Sequence, residues 1–484
     1  MRLYNTLTGN KEEFTPLNGN AVNMYVCGIT AYDLCHIGHA RSSVVFDVLV
    51  RYLRHKEYDV TFIRNFTDID DKIIKRAAET GMDPAELAAK FIQEFYVDMD
   101  RLAVLRADVE PKCTEHIQEM IQLTQRLIDK GHAYAAPNGD VYFKVRSFEG
   151  YGKLSGRRIE ELESGARIAP GEDKQDPLDF TLWKAAKPGE PSWESPWGPG
   201  RPGWHLECSA MSEKYVALPL DIHGGGQDLA FPHHENEIAQ SEAATGKPFA
   251  RYWVHNGFVQ INSEKMSKSL GNFFTIRDIL AQFHPETLRY FLLTMHYRSP
   301  LDFSFDAMEE AEKGLKRVYA ALRQIDEESV RSKWSKTPLP EELLQELETI
   351  ETEWTRSMED DLNTAGAMGQ VFNAVRLAGR LGEDKTLRKS EGARDLWQRI
   401  KTDMAAWGKV FGVFERNPAE FLDELRNTRA ARKGIDPEQV EQLMAARQDA
   451  RKAKDFTEAD RLREELAALG VEVKDTPKGP VWDA

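Results

Sequence analysis

Met24-Tyr-Val-Cys-Gly-Ile-Thr-Ala-Tyr-Asp-Leu-Cys-His-Ile-Gly-His-Ala-Arg-Ser42 is the stretch whose reading decides the fold. A short apolar run, Met24 to Val26, leads into the tetrapeptide His36-Ile37-Gly38-His39. A long amphipathic segment follows, with Val45, Val48, Leu49 and Leu53 on one face. This order predicts a strand, a turn and a helix start. The first turn of a helix has unpaired N–H groups and a partial positive charge, so it suits a phosphate chain, and Gly38 leaves room for a flat base. His36 and His39 can donate hydrogen bonds to phosphate oxygens. Read alone, the four residues also fit an ordinary helix start around a small residue.

A second element narrows the choice. Lys265-Met266-Ser267-Lys268-Ser269, followed by Leu270-Gly271-Asn272, carries two ammonium groups on a Ser-rich loop that could close over a polyphosphate. The pair of motifs, more than two hundred residues apart, resembles the class I aminoacyl-tRNA synthetases, whose HIGH and KMSKS motifs stand here without a substitution. The resemblance implies activation of an amino acid by ATP, with magnesium accompanying the polyphosphate. His36, His39, Lys265 and Lys268 would be the catalytic residues, and Gly38 and Ser267 would also contact ATP.

Outward from these motifs, Val60 to Asn65 reads as the next strand of a βαβ unit, and Thr67 to Lys72 as the opening of another helix with acidic residues in its first turn. From 111 to 203 the pattern changes to helical pieces, such as His116 to Lys130, and then to a run dense in Pro, Gly and Trp. Strand signals resume at Leu218 to Ile222 and Tyr252 to Val254. The expected fold class is α/β, a split Rossmann-like, doubly wound parallel sheet with an insertion. A helical bundle domain and a small C-terminal domain should follow. The expected divisions are 1–110 and 204–260 for the two halves of the sheet, 111–203 for the insertion and 261–310 for a KMSKS stem-contact region. A helical tRNA-binding bundle should occupy 311–425, interrupted by a loop at Thr337 to Pro340, and an anticodon-binding domain 426–484.

Composition sets limits on function. The chain has 484 residues, 41% hydrophobic and 30% charged, enough for several domains with real cores. No apolar run approaches a membrane span, and the charged N-terminus lacks the apolar core of a signal peptide, so a cytoplasmic protein without a membrane partner is expected. Four scattered cysteines do not make a disulfide framework. The net charge of −15 puts any RNA affinity on local basic surface.

Four residues form a metal question. His233 and Glu237 stand four apart just after Pro232, so a helix would project both from one face, and Cys27 and Cys208 could add two thiolates. Zinc fits such a donor set, and buried free thiols are the alternative. Here the resemblance narrows. Cys27-Gly28 ahead of HIGH, Gly203-Trp-His-Leu-Glu-Cys-Ser209, and His223-Gly-Gly-Gly-Gln-Asp228 running into Phe231-Pro-His-His-Glu-Asn-Glu237 resemble the cysteinyl-tRNA synthetases over essentially the full chain. Ile29 and Ala31 depart from the Pro and Val found in many members, which are apolar exchanges.

The resemblance implies one Zn2+ on Cys27, Cys208, His233 and Glu237, L-cysteine beside Gly28, Thr67, Trp204 and His223, and Asp228 on the ATP ribose. Glu237, the hardest donor, is the candidate for a weak ligand. The implied partners are ATP, L-cysteine and tRNA(Cys), and the implied assembly is a monomer. Arg426 to Lys454 holds eight basic against four acidic residues. Arg429, Arg432, Arg447 and Arg451 are candidate phosphate contacts there, and Trp482 a candidate platform for an unpaired base. Two rivals are a cysteine ligase of this fold acting on an amino sugar and a non-catalytic zinc-dependent RNA-binding relative.

Overall fold

The structure, a computed structural model, describes residues 1–163, 173–261, 264–265, 273–476 and 479–484, with Glu163, Lys265 and Thr476 described by backbone alone. Two short strands, β1 (Arg2–Asn5) and β2 (Asn10–Glu13), pair antiparallel ahead of the central core. That core is the parallel sheet of β3 (Ala21–Thr30), β4 (Asp59–Thr67), β9 (Leu220–Gly226) and β10 (Ala250–Asn256), in the order β10-β9-β3-β4. Three of its four strands, β4, β9 and β10, are nearly continuous buried runs, as a sheet covered on both faces requires. The polypeptide leaves the sheet after β4 and returns at β9, so the sheet is split in sequence.

Between β3 and β4 runs α1 (Ile37–His55), whose Ile37, Ala40, Val44, Val45 and Val48 are buried. After β4 come α2 (Asp71–Thr80), α3 (Pro84–Arg101) and α4 (Ile117–Asp129). Thr67 ends β4 instead of capping a helix, and the cap of α2 is Asp70, whose side chain accepts from the Lys72 amide. The insertion differs from the helical pieces expected. Besides α4 and α5 (Ile159–Glu163) it holds an antiparallel sheet of β5 (Ala133–Ala135), β6 (Val141–Phe143), β7 (Phe180–Ala185) and β8 (Gly200–Pro202). Strands of three to six residues, between Pro and Gly turns, are too short to show a period of two. Trp183 is fully buried in their core. The chain then enters α6 (Trp204–Tyr215), β9, α7 (Glu235–Thr245), β10, β11 (Val259–Ile261) and β12 (Glu264–Lys265).

The rest is mostly helical: α8 (Ile276–Leu280), α9 (Pro285–Leu293), a short β13 (Leu301–Phe303), α10 (Phe305–Ser329), α11 (Glu341–Glu359), α12 (Thr364–Glu383), α13 (Glu391–Phe411) and α14 (Pro418–Arg432). It closes with α15 (Pro437–Lys452), α16 (Phe456–Ala468) and the hairpin β14 (Glu472–Thr476) and β15 (Gly479–Asp483). The expected divisions at 310/311 and 425/426 both fall inside continuous helices, α10 and α14. Among the described residues no helix is long and apolar enough to cross a membrane.

Two compact units result. One comprises 1–273, 293–302 and 353–367; the other comprises 274–292, 303–352 and 368–484. The first is stitched by Asp361, a fully buried residue with φ of +63°. Its carboxylate accepts from the Tyr4 amide at 2.8 Å, the Tyr297 hydroxyl at 2.7 Å and Arg298 Nε at 2.7 Å. The carbonyls of His296 and Tyr297 in turn accept from the guanidinium of Arg41, buried on α1 (3.2 and 3.1 Å). The helix that carries His36 and His39 is thus anchored to segments far along the chain.

Candidate active site

A cavity of about 530 Å³ opens at the C-terminal ends of β3, β4 and β9, where ligands bind in open α/β sheets. His36, Gly38 and His39 line it together with Gly28, Thr67, Trp204 and Asp228. Cys27, Cys208 and His233 are on its wall as well. The strand that delivers Cys27 needs the glycine after it, because a Cβ on Gly28 would lie 1.6 Å from the Asn65 carbonyl oxygen. The neighbouring Asn65 side chain accepts the Gly28 amide at 2.9 Å, which fixes the bulge in β3 between Val26 and Ile29.

The two histidines of the α1 start form a reciprocal cap. His36 Nδ1 accepts from the Gly38 amide at 3.0 Å, and His39 Nδ1 accepts from the His36 amide at 3.2 Å. Their rings stack with centroids 3.7 Å apart. A neutral imidazole that accepts at Nδ1 carries its proton on Nε2, so the cap sets the tautomer and makes Nε2–H the group each ring can offer a ligand. Burial, then His36 and Lys72, hold His39 well below the usual histidine range. Neutral His39 can therefore donate to an oxyanion without adding a full charge.

On another part of the wall, side chains from three elements converge. Cys27 comes from β3 and Cys208 from α6; Glu237 lies in the first turn of α7, and His233 in the irregular turn just before that helix. The helical turn Ala230–His234 runs directly into α7, so His233 and Glu237 stand an i,i+4 step apart on one face. The pair meets, with His233 Nε2 2.9 Å from Glu237 Oε1. Cys27 Sγ is 3.4 Å from Cys208 Sγ and 3.4 Å from Glu237 Oε1, and one donor atom from each of the four residues lies within 4.8 Å of every other. Two thiols, an imidazole and a carboxylate, three of them fully or almost fully buried, match a soft divalent ion. Electrostatics agree. Burial pushes Cys27 up, reinforced by Cys208, so Cys27 keeps its proton and donates. Burial also acts to raise Cys208, but the hydrogen bonds from Cys27 and His233 bring it down to about 6. Burial opposes ionisation of Glu237, yet His223 and His233 hold it well below the carboxylate range.

His223 stands behind the cavity wall, with Nε2 3.7 Å from Cys27 Sγ. It is fully buried, is absent from the cavity wall, and sets Nε2 3.0 Å from Glu237 Oε2. Cys27, His223, His234 and Glu237 form a second converging set that shares two members with the first. Of the KMSKS loop, Lys265 contributes backbone to β12, and Met266, Ser267, Lys268 and Ser269 lie outside the described residues.

The C-terminal region corrects two further expectations. Trp482 is only 5% exposed, with Nε1 donating to Glu441 and Arg426 over its ring, so it belongs to the core formed with Val440, Met444 and Leu466. Phe456, at the start of α16 and 65% exposed, is the aromatic the domain presents to solvent. Its signal in the sequence is an aromatic two residues after Lys454, with Asp455 between them. Arg429 and Arg432 are engaged by the buried Glu312 and the buried Arg447 by Asp475, so these three are tied into the fold, whereas Arg451 pairs with Asp475 at the exposed surface.

Comparison with known proteins follows this geometry. Residues 13–313 match the class I (C) tRNA synthetase catalytic domain, residues 353–415 the DALR domain, and residues 437–482 the cysteinyl-tRNA ligase anticodon binding domain. The chain belongs to the cysteinyl-tRNA ligase family. A cysteine–tRNA ligase of Maridesulfovibrio salexigens is 75% identical over 482 residues, covering 100% of this chain and 99% of the relative. One from Oleidesulfovibrio alaskensis is 66% identical over the full length of both. Among solved structures, a Mycobacterium tuberculosis methionyl-tRNA synthetase in complex with methionyl-adenylate shares the fold, with a TM-score of 0.59 and 16% identity over 87% of this chain and 95% of that one. Against this cysteinyl-tRNA ligase background, the matched anticodon-binding domain begins at 437, just beyond the end of α14.

Proposed function

We propose that the cavity is the activation site of a cysteine–tRNA ligase: ATP and L-cysteine form cysteinyl-adenylate there, and the cysteinyl group then passes to the 3′-terminal adenosine of tRNA(Cys). The observation that carries this reading is the Cys27/Cys208/His233/Glu237 cluster, three of whose members share a cavity wall with the capped His36–His39 pair while Glu237 lies buried behind them. In this reading the four residues of the cluster hold one zinc ion. Bound there, zinc supplies a soft Lewis acid that takes a thiolate and holds a serine hydroxyl poorly, a difference that pocket shape alone could not reach.

The chain's own groups do the rest. Thr67, Trp204 and the Gly28 backbone orient the amino acid so that its carboxylate faces the α-phosphorus, and bringing the two together removes much of the entropic barrier. The Nε2–H groups of His36 and His39 donate to phosphate oxygens. Lys265 and Lys268 meet the charge that grows on the leaving pyrophosphate, with magnesium on the polyphosphate. Asp228 takes the ribose. His223 holds Glu237 from behind, as partners of ligating groups commonly do. Phe456 offers a stacking face for an unpaired anticodon base, and a monomer in the cytoplasm fits these roles.

Cysteine-dependent ATP–pyrophosphate exchange, followed by charging of tRNA(Cys), tests the reading, and no exchange from zinc-loaded protein would overturn it. The match of residues 437–482 to an anticodon-binding domain disfavours an amino-sugar acceptor, which has no use for one.

A further inference from the structure

The cavity must take up a highly anionic substrate, yet its described wall is poor in available positive charge. His39 is neutral, and Asp33 and Asp228 add negative charge. Two cationic residues, Arg64 and Lys72, stand on the described wall. Arg64 is 5% exposed and committed, with Nη2 2.8 Å from Glu110. Lys72 is different. It is exposed, in the first turn of α2, and its ammonium sits over the Tyr32 ring at 5.8 Å from the centroid. The carboxylates beside it are otherwise engaged. Asp70 accepts from the Lys72 backbone amide at 2.9 Å, Asp71 takes Lys184 at 2.8 Å and also Arg201, and Asp68 accepts from Thr114. Lys72 lines the same cavity as His36, Gly38 and His39 at the α1 start. An ammonium on a flexible stem, with no carboxylate partner among the described residues and facing a cavity built for a nucleotide, has a charge to give to that nucleotide.

We propose that Lys72 is a further phosphate-binding residue of the activation site, its ε-ammonium contacting the polyphosphate of ATP beside His36 and His39 and stabilising charge during adenylate formation. The proposal rests on the reading of the cavity as the ATP site.

The test uses full-length, zinc-loaded protein with Lys72→Met, Lys72→Gln and Lys72→Arg. Pyrophosphate exchange is measured as ATP and cysteine are varied separately, with tRNA charging, zinc content and melting temperature alongside. Lys72→Met and Lys72→Gln should lower kcat/KM for ATP by about 10–100-fold while KM for cysteine stays within about twofold and melting is unchanged, and Lys72→Arg should recover most of the loss. Unaltered exchange in both neutral variants would overturn the proposal. A defect confined to tRNA charging would also do so, by placing Lys72 on the acceptor end instead. A loss that Lys72→Arg does not rescue and that tracks melting would show a structural role and reject it as well. Absence of exchange in the unsubstituted protein is a separate outcome, which removes the ATP site itself.

Discussion

Replacing Asp361 by Asn tests how the nucleotide-binding unit is held together. Asn tolerates the left-handed backbone that Asp361 adopts, with φ of +63°, so the change brings no new backbone strain. What changes is the carboxylate. Its Oδ1 accepts from the Tyr4 amide and the Tyr297 hydroxyl, and the Asn carbonyl can keep both bonds in weakened, uncharged form. Its Oδ2 accepts from Arg298 Nε, and there an amide NH2 sets donor against donor. Losing one charge-assisted bond costs about 1.5–3 kcal/mol, and weakening two more brings the total to roughly 2–4 kcal/mol. For a unit of about 300 residues that is a melting shift of roughly 3–6 °C. Thermal unfolding followed by intrinsic fluorescence reads it, and a double-mutant cycle with Tyr297→Phe isolates the shared term, expected at about 0.5–3 kcal/mol. Because Asp361 is not on the cavity wall, exchange activity well below the melting point should persist. A shift under about 2 °C with zero coupling in the cycle would refute the stitching role.

Cys208→Ser should lower zinc content and weaken retention against a chelator, read by elemental analysis; full retention would separate the thiol cluster from the metal. Glu286 accepts from the Tyr319 hydroxyl and the Phe414 amide, and burial raises its pKa to about 7. The folded state therefore keeps a proton that the unfolded chain has already released above about pH 4.5, so stability should fall as pH rises from about 4.5 to 7, by up to roughly 3 kcal/mol. Urea unfolding of Glu286→Gln should lack that fall, and an equal slope in both proteins would exclude Glu286 as its source. Phe456→Ala should weaken tRNA(Cys) binding by about 1–3 kcal/mol, or roughly 5–150-fold, without touching pyrophosphate exchange, whereas equal affinity in a filter-binding titration would remove the stacking role.

What the sequence made legible was mostly local. The strand, turn and helix around His36 and His39 follow from periodicity within about thirty residues, and the cap that fixes their tautomers is itself local. Cys27, Cys208, His233 and Glu237 were readable as one set through a resemblance, because their spacing forms no compact motif and it is the sheet that joins them. Trp482 was misread because a hairpin residue's face depends on what packs beneath it, here Val440, Met444 and Leu466. The arginines of α14 read as a basic surface because their counter-charge, Glu312, is 120 residues from Arg432. Asp361 carried no signal at all, since nothing near it in sequence needs a carboxylate.

That last separation bears on how the protein is made. Tyr4 and Asp361 are 357 residues apart, and at roughly 5–20 residues per second a ribosome takes on the order of 20–70 s to deliver the second after the first. Through that interval β1, the 296–299 turn and the anchor of α1 lack the group that stitches them, so the nascent nucleotide-binding unit waits, incompletely closed, on sequence that lies beyond its own sheet. A ribosome stalled before Glu353 would hold a chain with every strand of the parallel sheet already synthesised but without the carboxylate that stitches the unit.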